Sequence, residues 1–341
     1  MSYLQNIKKV AITTWWHYHN YGSSLQVVAL YNVIKYFGFD VDVINYIPSI
    51  KKRSLPKLIK SITLKRIIAR FKEKRIIDIV RDEKFDSFIE NQLTFTANCT
   101  TECDFENLNE QYDIFICGSD QIWTPIVFDP RYFLDFIKDD NKKIAYAPSI
   151  GVSVIENKHT KECMKNLISS FPHLSTREKQ GAEIIHKLCS KNALVVLDPT
   201  LLFDYEQWHK IIPSTVICEK YILCYFLGTN KNSWKHVAAI SKKLNLPIKI
   251  LPIFVKDARN GEIVYGAGIV EFFNLIDNAK FVCTDSFHGM AFSIICGKPF
   301  YVFERFHGKD KQSQNSRVYN LLDITCLNNR LIRYDEPLKK D

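Results

Sequence analysis

Short apolar runs alternate with amphipathic helical segments along most of this chain, and the alternation limits it to the α/β class of folds. Residues 10–14 and 41–44 have the apolar, β-branched character of buried strands. Between them, a helix is predicted to begin near Ser23 and Ser24 and to end at Gly38. Such a strand–helix–strand unit is expected to be right-handed, with parallel strands.

The alternation continues in two series, which predict two Rossmann-like domains. The first series has further strands at 113–117, 143–147, 173–176 and 194–197, and the second has strands at 221–227, 248–253 and 280–283 and helices at 234–244, 270–278 and 290–296. A chain of 341 residues is longer than most domains with a single hydrophobic core, so two domains are expected. We expect an N-terminal domain (1–205, with a basic insertion at about 51–90), a C-terminal domain (206–323) and a tail (324–341). The carboxyl ends of both sheets are expected to face a shared cleft.

A histidine lies at one of these carboxyl ends. The predicted strand at 280–283 is followed by Thr284-Asp285-Ser286-Phe287-His288-Gly289, and the next helix is predicted to end at Gly297. Open α/β sheets bind ligands at this edge, where helix N–H groups also favour anions. His288 is therefore a candidate to hold a phosphate as imidazolium or to deliver a proton as a general acid, and the residues alone leave both roles open. A purely structural histidine is the alternative.

Three further segments carry polar side chains at strand ends or helix starts. Gly118-Ser119-Asp120-Gln121 follows one apolar strand, and Arg177 lies just past another, where its guanidinium could grip a carboxylate or phosphate. Asn20-Tyr21-Gly22 opens a helix whose N–H groups could bind an anion. An ordinary turn, cap or surface residue is the alternative for each of these segments.

The net charge of +9 is concentrated in one segment. Residues 51–75 contain eleven Lys or Arg and one Glu, so the remainder of the chain is close to neutral. Apolar residues at helical spacing make this a basic amphipathic segment. A solvated helix is the first interpretation, contact with an anionic membrane surface is the second, and nucleic acid comes last because no nucleic-acid-binding motif accompanies the charge.

Other features argue against several classes of protein. No apolar run is long enough to span a bilayer and residues 1–9 lack the order of a signal peptide, so a cytoplasmic location is expected. The ten cysteines are expected to be mostly small buried hydrophobes, and neither Cys99 with Cys103 nor the scattered histidines have zinc spacing, so no metal is predicted. The sequence Gly266-Ala267-Gly268 lacks the third glycine of a dinucleotide fingerprint, and no P-loop is present.

Taken together, these segments resemble the polysaccharide pyruvyl transferase family. The order and spacing of the pieces carry the resemblance over roughly residues 9–323. The pieces are Asn20-Tyr21-Gly22 with Leu25-Gln26, then Gly118 to Trp123, Tyr146 to Gly151, Ser175 to Glu178, Asp198 to Leu202, and Glu271 to Phe300. The last piece is the most specific, and its Asp-Ser-Phe-His-Gly form resembles a subgroup of the family.

The resemblance implies a glycosyltransferase-B-like fold with two domains and an enzyme that uses phosphoenolpyruvate as co-substrate without a cofactor. Members add a pyruvate ketal across two hydroxyls of a sugar in a surface polysaccharide or its lipid-linked precursor. The family's functional histidine falls on His288 and a family arginine on Arg177, which become the catalytic candidates. The resemblance and the loops together give donor-binding candidates at Asp285, Ser286, Gly289, Lys298 and Arg317, and candidates for the cleft or acceptor side at Asn20, Gly22, Ser119, Asp120 and Gln121.

One position departs from the family pattern. Members often have a basic residue two positions before the histidine, and here that position is Ser286. Two other functions stay open: a nucleotide-sugar-dependent glycosyltransferase of the same fold, and a non-catalytic glycan-assembly protein. If the acceptor is carried on a polyprenyl phosphate lipid, residues 51–75 would hold the enzyme at the inner face of the membrane as a peripheral protein.

Overall fold

The computed structural model describes residues 8–48, 79–308, 310 and 313–338, so the basic segment 51–75 lies outside the described residues. The first series of strands consists of β1 (Lys9–Thr13), β2 (Asp40–Val43), β3 (Ile114–Cys117), β4 (Lys143–Ala145), β5 (His173–Thr176) and β6 (Leu194–Val195). They form one parallel sheet in the order β2-β1-β3-β4-β5-β6.

A second parallel sheet follows along the chain. Its strands are β7 (Ile222–Tyr225), β8 (Ile248–Leu251), β9 (Glu262–Ile263), β10 (Phe281–Thr284), β11 (Phe300–Phe303) and β12 (Leu331–Ile332). Their order is β12-β11-β10-β7-β8-β9, which is the strand order of the Rossmann fold. The strands β8 and β9 lie on one side of β7, and the strands β10, β11 and β12 lie on its other side. The predicted fold class, two α/β halves with parallel sheets, is confirmed.

Helices connect the strands of both sheets. They are α1 (Tyr21–Tyr36), α2 (Ile79–Gln92), α3 (Glu102–Gln111), α4 (Lys158–Ser169), α5 (Lys179–Cys189), α6 (Tyr205–Ile211), α7 (Lys231–Leu244), α8 (Ile269–Asn278), α9 (Phe287–Ile295) and α10 (Ser316–Ile324). Within the described ranges, no helix has both the length and the apolar character needed to cross a membrane.

Each sheet has a topological switch point, where the strand order reverses direction. In the first sheet it lies between β1 and β3, and in the second between β7 and β10. The crevice outside the carboxyl ends of such strands is where open α/β sheets bind ligands. The loops after β1, β3, β7 and β10 therefore position the candidate site, and they include the segments singled out from the sequence at 118–121 and 285–289.

One of the four buried hydrophobic clusters of the described residues includes side chains of both halves. Tyr21, at the start of α1, lies in the same buried cluster as Tyr225 and Phe272 of the second half. Its ring stacks on Phe272 with centroids 4.4 Å apart, and its hydroxyl donates a hydrogen bond to the Ala267 carbonyl (2.6 Å). A stacked aromatic pair contributes about 0.5–1.5 kcal/mol beyond its buried area. α1 thus connects β1 and β2 of the first sheet, and its first residue packs against the second half of the chain.

Helix starts are where the sequence predictions differ most from the structure. α1 begins at Tyr21 with Asn20 as its cap, ahead of the predicted start at Ser23 or Ser24. α9 begins at Phe287 with Ser286 as its cap, ahead of the predicted start at residue 290. In both cases a cap-forming side chain earlier in the chain satisfies the first N–H groups, and this local bond extends the helix beyond its apolar stripe.

The end of the chain also differs from the prediction. β12 lies at residues 331–332, inside the segment predicted as a tail, and pairs in parallel with β11. The second sheet therefore extends past the predicted domain end at 323. A strand of two residues is too short to show a pattern of alternation, which is why the sequence did not reveal it.

Candidate functional site

His288 lies in the first turn of α9, at the carboxyl edge of the second sheet. The helix begins here because the Ser286 hydroxyl accepts a hydrogen bond from the Gly289 N–H (3.3 Å). The imidazole packs against the start of α1 in the first half of the chain. A Cβ built on Gly22 would lie only 1.8 Å from His288 Nδ1, so glycine is required for this approach. Both halves therefore fix the position of the imidazole.

Asp198 links His288 to Arg177. One carboxylate oxygen of Asp198 accepts hydrogen bonds from the Thr200 N–H (3.0 Å) and the Thr200 hydroxyl (2.7 Å). The other, Oδ2, lies 2.5 Å from Arg177 Nη1 and 3.6 Å from His288 Nε2. The three side chains are 0, 2 and 8% exposed for Asp198, Arg177 and His288 respectively. We call these three residues the carboxyl-edge cluster.

The charges of this cluster stabilise one another. Burial alone would raise the pKa of the Asp198 carboxyl, but the positive charges of His288 and Arg177 outweigh it and hold this pKa well below its usual range. Burial would likewise lower the pKa of Arg177, yet the carboxylates of Asp198, Asp120 and Glu178 raise it. Asp198 therefore stays ionised and offsets part of the cost of burying the guanidinium.

The loop after β3 forms the wall contributed by the first sheet. Gly118 has a φ of +132°, and a Cβ there would lie 1.9 Å from the Tyr146 carbonyl oxygen, so no other residue type fits. The Gly118–Ser119 peptide bond is cis. The Ser119 hydroxyl lies 2.8 Å from the Ala147 carbonyl oxygen and 3.3 Å from Asp198 Oδ2. The loop thus reaches the carboxyl-edge cluster directly.

α1 holds this loop in place. The Ser23 hydroxyl donates a 2.5 Å hydrogen bond to Asp120 Oδ2, while Asp120 Oδ1 lies 3.6 Å from Arg177 Nη2. The buried Gln26 side chain accepts from the Ser119 N–H (2.9 Å) and donates to the hydroxyl of the residue after β1 (3.0 Å). Since these groups are all buried, the bonds define one arrangement of the two loops at the first switch point.

Asp285 joins the loops at the second switch point. Its carboxylate accepts hydrogen bonds from the N–H groups of Leu227 (2.6 Å) and Gly228 (2.8 Å), which follow β7. Arg305, just after β11, donates from Nη2 to the Asp285 carbonyl (2.9 Å), and its Nε lies 3.6 Å from the carboxylate. Burial raises the pKa of Asp285, although Arg305 and the backbone donors oppose it.

A third arginine approaches from α10. Arg317 is 6% exposed, and its Nη2 donates to Gln314 Oε1 (3.0 Å). Burial, with the positive charges of Arg177 and Arg305, lowers the pKa of the Arg317 guanidinium to about 9. Among the described residues, no carboxylate lies within ion-pair distance of it. Three guanidinium groups therefore converge where the two sheet edges meet.

Several donors at this place make no hydrogen bond, although three of them lie 3.6 Å from a carboxylate oxygen. In the described part of the chain, the buried Nε and Nη2 atoms of Arg177, Nε of Arg305 and Nε2 of His288 make no hydrogen bond. Native structures rarely leave buried donors unpaired, because each costs about 1–3 kcal/mol. An anion with several oxygens would satisfy them by charge-assisted hydrogen bonds. The arrangement is thus suited chemically to a small anion carrying phosphate or carboxylate groups.

The structure brings most of the predicted site residues to this place. His288, Arg177, Gly22, Ser119 and Asp120 are linked by the contacts above, and Arg317 lies within electrostatic reach of Arg177. The remaining donor-side candidates support the local fold: Ser286 caps α9, Gly289 packs against Thr284, and Asp285 binds backbone N–H groups. Their roles in binding and catalysis stay predictions.

Three predicted residues have other surroundings. Asn20 accepts from the N–H groups of Gly22 (3.0 Å) and Ser23 (3.2 Å), so these donors are not free for an anion as the sequence suggested. Gln121 lies beside Gly151, and its buried Nε2 has no partner among the described residues. Lys298 precedes β11 at the amino edge of the second sheet, the edge opposite His288, and the structure does not place it at the candidate site.

Three of the residues that build the site were not identified from the sequence as candidate site residues. Asp198 was quoted only as part of a motif, and Gln26 likewise. Arg305 follows the strand β11, which was itself not predicted. The position of Arg305 after an apolar run, Phe300–Phe303, is the same signal that identified Arg177, so a stricter search for cations at strand ends finds it.

Comparisons with known proteins agree with this fold. The family model described as polysaccharide pyruvyl transferase matches residues 20–307. No curated protein matches the chain. Among solved structures, the UDP-GlcNAc 2-epimerase from Methanocaldococcus jannaschii aligns with a TM-score of 0.52 at 11% identity, over 94% of this chain and 92% of that one. The heptosyltransferase WaaC from E. coli aligns with a TM-score of 0.40 at 9% identity, over 93% and 99%. At such identity the epimerase shows the shared fold alone, two Rossmann-like halves as in glycosyltransferase-B enzymes.

Proposed function

The chain belongs to the polysaccharide pyruvyl transferase family, and from that premise we propose that it transfers the enolpyruvyl group of phosphoenolpyruvate to a sugar of a surface polysaccharide or lipid-linked glycan. The product is a pyruvate ketal across two sugar hydroxyls. The observation that carries the proposal is the set of buried, unpaired donors on Arg177, His288 and Arg305 where the two sheet edges meet. Phosphoenolpyruvate has a phosphate and a carboxylate, and both need such donors.

The arginines suit the two anionic groups of this donor. Arg177 offers Nε and Nη2 side by side, a geometry that matches two oxygens of one phosphate or carboxylate. Arg305 and Arg317 bring positive charge from the second half of the chain, and Ser286, which caps α9, brings none. We expect one anionic group to lie on Arg177 and His288 and the other to lie towards Arg305 and Arg317.

His288 is placed to supply the proton. Protonation of the methylene carbon of phosphoenolpyruvate makes C2 electrophilic, and one sugar hydroxyl then adds to C2. A second hydroxyl of the same sugar displaces phosphate and closes the ketal. The proton of one hydroxyl returns to His288, and the proton of the other leaves with the phosphate. Asp198, 3.6 Å from His288 Nε2, holds in place the imidazole that donates the first proton. Because His288 and Arg177 are buried, we expect the sheet edges to part before the donor enters.

The decisive experiment incubates the purified protein with phosphoenolpyruvate and cell-derived lipid-linked glycans. The proposal expects phosphate release together with a gain in glycan mass equal to pyruvate less one water. Phosphate release without that mass gain, or no release at all, would overturn it.

A ligand panel separates pyruvyl transfer from the other functions that the sequence left open. Phosphoenolpyruvate at about 100 times its Kd should stabilise the protein by about 2.7 kcal/mol in thermal unfolding. Stabilisation by a uridine or guanosine diphosphate sugar but not by phosphoenolpyruvate would favour a glycosyltransferase. If neither class stabilises the protein and His288→Ala leaves the cellular glycan unchanged, a non-catalytic assembly role is favoured.

A lipid-linked acceptor would also give the basic segment 51–75 a role. Its eleven Lys and Arg residues would be attracted to anionic lipids at the inner face of the membrane. Flotation with liposomes that contain anionic lipid should carry the protein upwards, whereas neutral liposomes should not. Equal flotation with both would end this part of the proposal.

A further inference from the structure

A groove of about 990 Å³ opens at the carboxyl edge of the first sheet, where residues 126–132 of the segment after β3 form part of its lining. Loops after three neighbouring strands form its walls. The aromatic residues among them are Trp15 and Tyr18 after β1, Tyr46 after β2, Phe105 of α3, and Phe128 and Tyr132 after β3. We call this the aromatic groove. Its volume lies at the upper end of the ~300–1,000 Å³ of ligand pockets.

Four rings of the aromatic groove form a connected set. Trp15 packs edge-on against Tyr18, with centroids 5.4 Å apart, and against Tyr132 at 6.4 Å, and Tyr46 lies 6.0 Å from Tyr132. Tyr18 is 40% exposed in spite of these contacts. The groove thus offers apolar ring surface next to solvent, in a position fixed by neighbouring rings.

Polar groups lie between the rings. The Tyr46 hydroxyl donates to Asp129 Oδ2 (2.8 Å), and Asp129 Oδ1 accepts from the Arg131 N–H (3.1 Å). A carboxylate can accept about four hydrogen bonds, so Asp129 retains capacity. The Arg131 guanidinium is already paired with Asp135 (3.0 Å) and with Glu102. The charge balance therefore disfavours an anionic ligand and favours a neutral one with hydroxyl groups.

One buried hydroxyl has no partner. Tyr132 is 2% exposed, and within the described residues its hydroxyl makes no hydrogen bond. Burial raises the pKa of this hydroxyl, and the nearby Tyr18, Asp129 and Tyr46 raise it further. All three of these residues line the aromatic groove. An unpaired hydroxyl of this kind costs about 1–3 kcal/mol, which a ligand hydroxyl could offset.

We propose that the aromatic groove binds pyranose rings of the glycan acceptor. A pyranose presents one face of C–H groups and a rim of hydroxyls, and the groove combines aromatic faces with a carboxylate and an unpaired phenol. This inference rests on the proposed function, in which the acceptor is a sugar. The size of the groove fits more than the single sugar that is modified, so it serves the neighbouring sugars of an oligosaccharide.

The aromatic groove and the candidate site are both built from the segment after β3. The segment after β3 carries Ser119 and Asp120 first and the groove residues Phe128 and Tyr132 next. Trp123, between them, donates from its indole nitrogen to the Tyr132 carbonyl (3.1 Å). A glycan bound in the groove would therefore extend towards the loop that reaches the carboxyl-edge cluster.

Saturation-transfer NMR without phosphoenolpyruvate tests the inference. The probe is decyl maltoside below its micelle concentration, because it contains both sugar rings and an alkyl chain. The inference expects saturation of the sugar protons. Saturation of the alkyl protons alone would identify a lipid site, and no saturation would exclude binding, so both results overturn the inference.

Two variants assign the signal to the groove. Tyr18→Ala should abolish the sugar signal, whereas Tyr36→Ala, at an 86% exposed tyrosine on α1, should leave it unchanged. Tyr132→Phe should weaken maltoside binding about fivefold, the equivalent of one hydrogen bond of ~1 kcal/mol, without lowering the unfolding temperature. A merely structural Tyr132 would leave binding unchanged, which contradicts the inference.

Failure of this inference and failure of the proposed function give different results. If phosphate is released and the glycan gains mass while Tyr18→Ala and Tyr132→Phe keep the acceptor KM, the groove is not the acceptor site but pyruvyl transfer stands. If maltoside binds as expected and no phosphate is released, the groove binds sugar and the proposed reaction falls.

Discussion

Two clusters in this protein combine the same kinds of charge but differ in burial and in their place in the fold. The carboxyl-edge cluster joins His288 and Arg177 through Asp198, and a second cluster joins His209 and Lys298 through Asp277. In the second cluster, which we call the amino-edge cluster, His209 Nε2 lies 3.2 Å and Lys298 Nζ 3.4 Å from the carboxylate of Asp277. Each is a histidine, a carboxylate and a cation within 4 Å, so residue types and distances alone do not separate them.

The difference lies in burial and in the edge of the sheet. His209, Asp277 and Lys298 are 16, 11 and 23% exposed, and they lie at the amino ends of β10 and β11. Tyr205 also donates a hydrogen bond (3.1 Å) to the shared carboxylate, Asp277. The carboxyl-edge cluster is more deeply buried: His288 lies at the second switch point, and Ser119 of the loop at the first switch point lies 3.3 Å from Asp198 Oδ2. A charged triad is thus a candidate site by its place in the topology rather than by its composition.

The histidines give the largest expected contrast. His288→Gln should lower kcat for pyruvyl transfer by about 10²–10⁴-fold, because the proton donor is lost, whereas His209→Gln should leave kcat unchanged. Phosphate release under saturating donor measures both, and thermal unfolding verifies that each variant is folded. Equal effects of the two substitutions would remove the distinction between the clusters.

The cations should differ in their effect on stability. Arg177→Met removes the buried guanidinium that Asp198 and Asp120 share and should lower the free energy of unfolding by about 3–5 kcal/mol. Lys298→Met removes a partly exposed charge and should cost about 0–1 kcal/mol. Urea denaturation of both variants checks the difference. A cost of Lys298→Met as large as that of Arg177→Met would contradict it.

The close approach of α1 to His288 has no described counterpart at the amino-edge cluster. Gly22→Ala should lower the free energy of unfolding by about 1–3 kcal/mol through overpacking and should also reduce kcat, because the imidazole must move. Gly308→Ala is the control, since a Cβ there meets nothing within 4 Å. A fully active, fully stable Gly22→Ala variant would show that His288 tolerates displacement.

Substitution of Arg317 should change the free energy of unfolding least, and it should raise this free energy rather than lower it. Its buried guanidinium has no carboxylate within ion-pair distance in the described part of the chain, so Arg317→Met should raise the free energy of unfolding by about 1 kcal/mol. The same substitution should raise the KM for phosphoenolpyruvate. Arg333→Met, at an exposed arginine paired with Glu304 (2.7 Å), should give no gain in stability. A destabilised Arg317→Met variant would indicate a structural role instead.

Local signals in the sequence predicted one part of this arrangement and missed another. The strands β1, β3, β5, β7 and β10 were predicted from short apolar runs, and His288, Arg177 and Ser119 were placed at carboxyl ends for that reason. Asp198 and Gly22 meet His288 only through packing between the two halves. No periodicity within one segment encodes that contact. Asp198, which joins His288 to Arg177, was therefore not predicted as a site residue, although the loops that carry His288 and Arg177 were.

The three residues Asn20, Tyr21 and Gly22 have consequences for exchanging parts between family members. The first caps α1, the second stacks on Phe272 of the other half, and the third leaves room for His288. A hybrid that takes its N-terminal half from one relative and its C-terminal half from another keeps an intact first sheet. At Tyr21 and Gly22, however, its N-terminal half must fit the side chains of the new C-terminal half. Hybrids should therefore carry the 20–22 segment together with the second half's partners, and compatibility can be screened at Phe272 and His288 before any gene is assembled.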